Sequence, residues 1–177
     1  MWKFVQQFLE SPGKTGAVLP SSKSLAKRMC SYIDFSKAQT IVELGAGTGA
    51  ITRELLARMS AESKLVAFEI NAEFCYDLRR FEDKRMLILN EDARRLSSLV
   101  KHADYVVSGL PLVAFDEEAH REVLNEIAKI TRHRYIQFHY SSLGEKYLLE
   151  RFGSFEREYV LRNAPPAFVY MIDLEKK

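Results

Sequence analysis

The stretch Val42-Glu43-Leu44-Gly45-Ala46-Gly47-Thr48-Gly49 constrains the fold of this chain more than any other. An apolar run from Thr40 to Leu44 ends in alternating glycines with a carboxylate just ahead of them. The helix-forming segment Ala50-Ile51-Thr52-Arg53-Glu54-Leu55-Leu56 follows at once. The spacing predicts strand, tight turn and helix. Glycine is required where the backbone turns with positive φ, or where a ligand must approach main chain with no Cβ between. The looser pattern Gly45-x-Gly47-x-x-Ala50 also satisfies a dinucleotide fingerprint, so the glycines alone do not select the ligand.

Two further acids narrow the choice. Glu69, followed by Ile70, closes the apolar run Leu65-Val66-Ala67-Phe68, where a carboxylate can accept two hydrogen bonds from ribose hydroxyls. Asp92-Ala93 follows a third run, Met86-Leu87-Ile88-Leu89. Together with Glu43 these acids favour a ligand carrying an ammonium and an adenine amine, and S-adenosylmethionine (SAM) has both. Taken in order, Glu43 to Gly49, Glu69 and Asp92-Ala93 resemble the motifs of class I SAM-dependent methyltransferases. The resemblance implies that Gly45, Ala46, Gly47 and Gly49 wrap the methionine part and that Glu69, with Ile70 beside it, takes the ribose. It further implies that Asp92 with the Ala93 amide reads the adenine edge and that Glu43 organises the amino-acid end. A structural alternative is that the acids merely cap helix N-termini, where carboxylates are favoured.

At 177 residues and 47% hydrophobic, the chain has length for one well-packed domain and not for two of ordinary size. A dinucleotide enzyme would need a substrate domain in addition. The 26 basic and 24 acidic side chains give a formal charge of +2, which argues against a general nucleic-acid binder. The basic excess is concentrated at the start, where Lys3, Lys14, Lys23, Lys27, Arg28 and Lys37 outnumber Glu10 and Asp34. Cys30 and Cys75 sit in apolar helical patterns without a second cysteine at metal-ligand spacing, so buried free thiols and no metal centre are expected. No apolar run approaches a membrane span, and no leader-like segment opens the chain, so a cytoplasmic enzyme is the expectation.

From Thr40 onward short apolar runs alternate with amphipathic segments, the rhythm of a doubly wound α/β sheet with helices on both faces. Strands are expected near 40–44, 64–69, 86–89, 104–107, 134–139, 155–161 and 167–173, and helices near 49–59, 72–81, 94–101, 116–130 and 144–151. In the helix near 116–130, Ala119, Val123, Leu124, Ile127 and Ala128 mark the core face. The last two runs are joined by Asn163-Ala164-Pro165-Pro166, too short for a crossover, and must form an antiparallel hairpin. Arg132-His133-Arg134 reads as a solvated turn.

Residues 1–37 form a helical N-terminal segment and lid ahead of a core at 38–177. Within it, Trp2, Phe4, Val5, Phe8 and Leu9 make a short amphipathic stripe. A second helix runs from about Ser22 to Ile33, with Ser21 or Ser22 as N-cap and Leu25, Ala26, Met29 and Ile33 on one face. The stripe can pack on the core, or lie in a bilayer headgroup region with Lys3, Lys14 and Lys23 drawn to anionic lipid.

The segment Ser108-Gly109-Leu110-Pro111-Leu112 follows the fourth strand, at the edge where open α/β sheets bind ligands. Methyltransferases of exocyclic base amines commonly carry Asn or Asp and an aromatic residue here; this chain has Ser108 and Leu112. Four stretches resemble the bacterial phospholipid N-methyltransferases that act on phosphatidylethanolamine: Gly16-Ala17-Val18-Leu19-Pro20-Ser21-Ser22, Ser108 to Leu112, Ile136-Gln137-Phe138-His139-Tyr140, and Arg162-Asn163-Ala164-Pro165-Pro166-Ala167. The seven-stranded, mostly parallel sheet with a C-terminal hairpin is the fold that resemblance implies. It also implies a phospholipid substrate, contact with an anionic membrane at its inner face, and no nucleic-acid partner. Ser108, which also touches the cofactor, and Gly109 would line the acceptor site, with His139 and Tyr140 as candidate catalytic groups. His139 stands where the family often has threonine. The alternative is an rRNA adenine N6-methyltransferase of the rRNA dimethylase type, and a non-catalytic SAM-binding protein is a third possibility.

Overall fold

The computed structural model describes residues 23–163 and 165–174. The stripe at residues 2–9, the Gly16–Ser22 stretch, the Ser21 or Ser22 cap and residues 1–22 of the expected segment and lid therefore lie outside the described residues.

The elements follow in chain order: α1 (Lys23–Cys30), β1 (Thr40–Leu44), α2 (Ala50–Arg58), β2 (Lys64–Phe68), α3 (Ala72–Leu78), β3 (Met86–Leu89) and α4 (Leu96–Leu99). Then come β4 (Ala103–Ser108), α5 (Glu117–Ile130), β5 (Thr131–His139), α6 (Glu145–Phe152), β6 (Glu156–Val160) and β7 (Ala167–Asp173). The sheet order is β3-β2-β1-β4-β5-β7-β6. β1 to β5 run parallel, and β7 lies antiparallel between β5 and β6. The order reverses at β1, which places a crevice at the carboxyl ends of β1 and β4. The expected hairpin is present, with Val160 opposite Ala167.

Alternation along the strands divides the core into two layers. In β1, Ile41 joins the layer of Leu25, Met29 and Leu55 from α1 and α2, whereas Val42 and Leu44 join Leu96, Val123 and Ile127 from α4 and α5. In β5, Ile136 and Phe138 face the first layer and Tyr135 faces the second. Both cysteines are free and buried.

Three details differ from the sequence reading. Arg132-His133-Arg134 is not a turn; these residues lie in β5, which starts at Thr131 opposite Ala103 and shifts register before Arg134 pairs with Tyr105. Arg134 then pairs across the sheet with Asp173 of β7 at 2.5 Å. In α5, Ala128 is only half-buried, while His120 and Glu126 are buried. The expected helices near 72–81 and 94–101 are shorter and carry 3-10 turns at Arg79–Phe81 and Ala93–Arg95. No helix among the described residues is long and apolar enough to cross a membrane.

Candidate functional site

The glycine loop is tied down by its neighbours. Gly45 and Ala46 N–H groups donate to the Phe68 carbonyl at 2.9 and 3.3 Å, and Gly49 N–H donates to the Ala46 carbonyl. Gly45, Gly47 and Gly49 all have positive φ, at 72°, 52° and 78°, so no L side chain fits them without strain. A Cβ at Gly45 would stand 3.1 Å from Leu110 Cδ2. At Gly47 it would meet only the Gly45 carbonyl at 4.0 Å, which leaves the main chain open to a ligand.

Two buried acids flank this cradle. Glu69 accepts from Gly47 N–H and Asn71 N–H, both at 2.8 Å, and so braces the loop against the end of β2. Burial raises its pKa against the lowering effect of these bonds. Glu43 is 1% exposed. Its Oε2 accepts from the Thr52 hydroxyl of α2 at 2.7 Å, and its Oε1 has no partner among the described residues. Burial pushes Glu43 up to about 8, with Glu69 adding repulsion. An orphaned carboxyl oxygen beside a second desolvated acid suits a cationic ligand, and the bare main chain above Gly47 leaves room for it. SAM, with a sulfonium and an ammonium, meets both conditions.

Asp92 has a local role as well. Its Oδ1 accepts from Arg94 N–H, capping the turn at Ala93–Arg95, and its Oδ2 pairs with the Arg94 guanidinium at 2.6 Å. Burial opposes ionisation here, but the Arg94 bonds outweigh it and hold the pKa below the usual range. The cap fixes the Asp92 carboxylate at the carboxyl end of β3, with the buried Ala93 beside it. Ile70 follows Glu69 in a segment fixed by Asn90, whose side-chain amide donates to the Glu69 and Ile70 carbonyls at 2.9 Å.

At the carboxyl end of β4, Gly109 N–H donates to the Leu44 carbonyl at 2.9 Å. A Cβ there would lie 3.2 Å from the Gly45 carbonyl and 3.3 Å from the Phe138 ring, so glycine lets the two loops meet without either giving way. Phe138 in turn contacts Tyr140 edge-on, with ring centroids 5.4 Å apart. The Tyr140 hydroxyl interacts with the Asn163 side chain, which also donates to the Pro165 carbonyl at 2.6 Å. A continuous line thus runs from the glycine loop through Gly109, Phe138 and Tyr140 to Asn163.

Two candidates lie off this line. Ser108 is fully buried, and its Oγ accepts from Leu110 N–H at 3.2 Å, so the side chain shapes the turn from inside. His139 alternates with Phe138 and Tyr140 and faces the other layer, beside Tyr170, with both ring nitrogens unpartnered among the described residues. Burial, with His120 nearby, lowers its pKa to about 4. In this conformation the His139 imidazole does not line the crevice.

Thr52, Asn90 and Gln137 also support this region, through contacts to Glu43, to the Glu69 carbonyl and to the Leu110 carbonyl. Gln137 donates to the Leu110 carbonyl at 3.1 Å and accepts from the Tyr135 hydroxyl at 2.7 Å, holding the Ser108–Leu112 turn. Thr52 and Asn90 carry no local signal, because their partners come from other elements. Gln137, a lone amide inside an apolar strand, was a visible oddity.

A methyltransferase-domain family matches residues 41–134, more than half of the chain. The chain belongs to this family and is a SAM-dependent methyltransferase. It is 29% identical over 134 residues to an ornithine lipid N-methyltransferase of Singulisphaera acidiphila, covering 72% of this chain and 70% of the relative. It is 31% identical over 98 residues to ribosomal RNA small subunit methyltransferase A of Mycoplasma mycoides subsp. mycoides, covering 51% of this chain and 36% of that one. The fold is similar to that of N-methyltransferase NodS from Bradyrhizobium japonicum crystallised with S-adenosylhomocysteine, with a TM-score of 0.73 at 12% identity over 96% of this chain and 97% of that one.

Proposed function

We propose that the protein transfers the methyl group of SAM to the amine of a membrane amino lipid, with phosphatidylethanolamine as the favoured acceptor. The observation that carries this reading is the acceptor side itself. Ser108 and Leu112 stand after the fourth strand in place of the amide and stacking aromatic that grip a base there, and the contacts of Gly109, Phe138, Tyr140 and Asn163 continue from that turn. The likeness to an ornithine lipid N-methyltransferase over most of both chains supports it, and the match to an rRNA methyltransferase covers only about a third of that relative.

When bound, SAM supplies an electrophilic methyl on a sulfonium that is already a good leaving group, so this chain's task is alignment and exclusion of water. Glu43 and Glu69 balance the cofactor's charge, and the glycine loop accommodates its methionine part. Asp92 and the Ala93 amide take the adenine edge, Asp92 while still holding Arg94. The acceptor must lose its ammonium proton before it attacks. Burial raises the Tyr140 pKa, so its hydroxyl stays protonated near neutrality and orients the amine, while the proton leaves through water. The main chain at Ser108 and Gly109 completes the amine's surroundings. His139, on the opposite face, has no part in this scheme.

The test presents radiolabelled SAM with phosphatidylethanolamine vesicles, ornithine lipid vesicles and unmodified small-subunit rRNA in parallel. Label in lipid alone is expected, with mass gains of one to three methyl groups, the count that an amine can accept. Methylated adenine with unlabelled lipid would transfer the reading to rRNA.

A further inference from the structure

Beyond Asn163, the line from the glycine loop reaches the surface at Leu161-Arg162. Leu161 is 72% exposed, and Leu143, in the turn that follows β5, is 73% exposed; no other large apolar side chain among the described residues is as exposed as these two. β6 runs parallel to β5, since both are antiparallel to β7, so both leucines emerge at the carboxyl edge that holds the crevice. The turn carrying Leu143 packs on the turn Leu112–Ala114 after β4, whose Val113 is 44% exposed. Exposed apolar side chains on successive loops around one opening are an unusual surface for a protein in water.

The charges here are mixed. Arg162 and Lys146 lie next to the leucines and are exposed, while Asp116, Glu117 and Glu118 begin α5 on the Val113 side. Arg157 of β6 is held by Glu145, but the Arg162 guanidinium forms no ion pair among the described residues. Three consecutive residues thus meet three surroundings: Leu161 in solvent, Arg162 at the rim, and Asn163 buried against Tyr140. A zwitterionic headgroup has the complementary order of acyl chains, an anionic group and a terminal amine.

Resting on the lipid reading above, we propose that this edge is the docking surface for a zwitterionic amino lipid in its bilayer. Leu143 and Leu161 enter the acyl boundary. The Arg162 guanidinium pairs with the headgroup's anionic group, a phosphate in a phospholipid or a carboxylate in an amino-acid lipid, and the amine reaches Tyr140. An arginine fork suits either oxyanion.

The experiment uses the full chain and two readouts. Flotation with vesicles of phosphatidylcholine and phosphatidylethanolamine compares wild type with the double variant Leu143→Asp, Leu161→Asp. The vesicle-bound fraction is expected to fall about tenfold, with calorimetric SAM affinity unchanged, since the apolar anchors are replaced by charge. Kinetics then compares Arg162→Ala with wild type on phosphatidylethanolamine and, separately, ornithine lipid vesicles. The lipid KM should rise about tenfold, more than kcat falls, and Arg162→Lys should restore part of it. A rise with only one lipid identifies which anion Arg162 reads. Undiminished vesicle binding by the folded double variant, or an unchanged KM in Arg162→Ala, overturns the proposal. Self-association of wild type that the double variant abolishes would overturn it in favour of a second copy. If wild type binds vesicles through the leucines but methylates neither lipid, the substrate reading fails and the docking surface stands.

Discussion

At single residues, the site's electrostatics make separable predictions. Glu69 braces Gly47 and Asn71 and, in the proposed arrangement, takes the ribose hydroxyls, so Glu69→Ala should weaken SAM binding by more than tenfold, the effect of losing charged hydrogen bonds at about 1.5–3 kcal/mol. Calorimetric titration of the folded variant checks this, and undiminished affinity would remove Glu69 from the site. Glu43 titrates abnormally. Its folded pKa of about 8 lies above its unfolded value, so the folded state holds the extra proton. Stability from this group is complete below the unfolded pKa, near 4.3, and is lost as pH rises toward 8. Urea unfolding of the SAM-free protein across that range should show a flatter profile for Glu43→Gln than for wild type. Gly49→Ala tests the cradle: with φ at 78° and the new Cβ 2.8 Å from the Phe81 ring, it should cost about 1–3 kcal/mol, read as a lower Tm.

Among the elements, β5 shows how strand alternation separates neighbours by role. Phe138 faces Gly109 and the first core layer, whereas His139 is sealed under Gly144 and beside Tyr170, where a Cβ on Gly144 would lie 2.7 Å from His139 Nδ1. Among the described residues, titratable groups on this inner face include Asp116, His120, Tyr135, Glu145, Tyr147 and Tyr170; His120 stacks on Tyr147 and its pKa is lowered by burial. His139 has a folded pKa near 4, below its unfolded value, so it contributes stability at neutral pH that is lost as pH falls from about 6.5 toward 4. The full loss is on the order of 3 kcal/mol from this residue. His139→Leu should abolish most of that acid-side loss, measured as the difference in unfolding free energy between pH 7 and pH 4.5, and should leave SAM affinity unchanged. This slope is opposite in sign to that of Glu43, so the two variants distinguish the groups.

At the level of the whole molecule, the helix α1 is fastened to the far edge of the sheet, where Arg28 pairs with Glu158 of β6 at 2.5 Å and Tyr32 bonds to the same carboxylate. The sequence of residues 1–20 carries its own prediction: deleting residues 1–10, with Trp2, Lys3, Phe4 and Phe8, should reduce the salt-sensitive part of binding to anionic vesicles while SAM affinity persists. Equal sedimentation of the truncated and full chains would refute it. The sequence alone determined the strand-turn-helix at Gly45 to Gly49, the register of alternating β and α segments, and the hairpin at Asn163 to Pro166, because each is written in local spacing and in backbone demands that only certain residues meet. Where it fails the failure is local as well: Arg132 to Arg134 read as a turn because Arg132 and His133 are exposed at a register shift within the paired start of β5. Only the tertiary structure decided that Thr52 holds Glu43, that Gln137 holds the Leu110 turn, that Tyr140 meets Asn163, and that His139 turns away from the crevice. Those contacts join residues far apart in the chain or on opposite strand faces, and they exist because strand order and two-sided packing bring them together, which no run of neighbouring residues encodes.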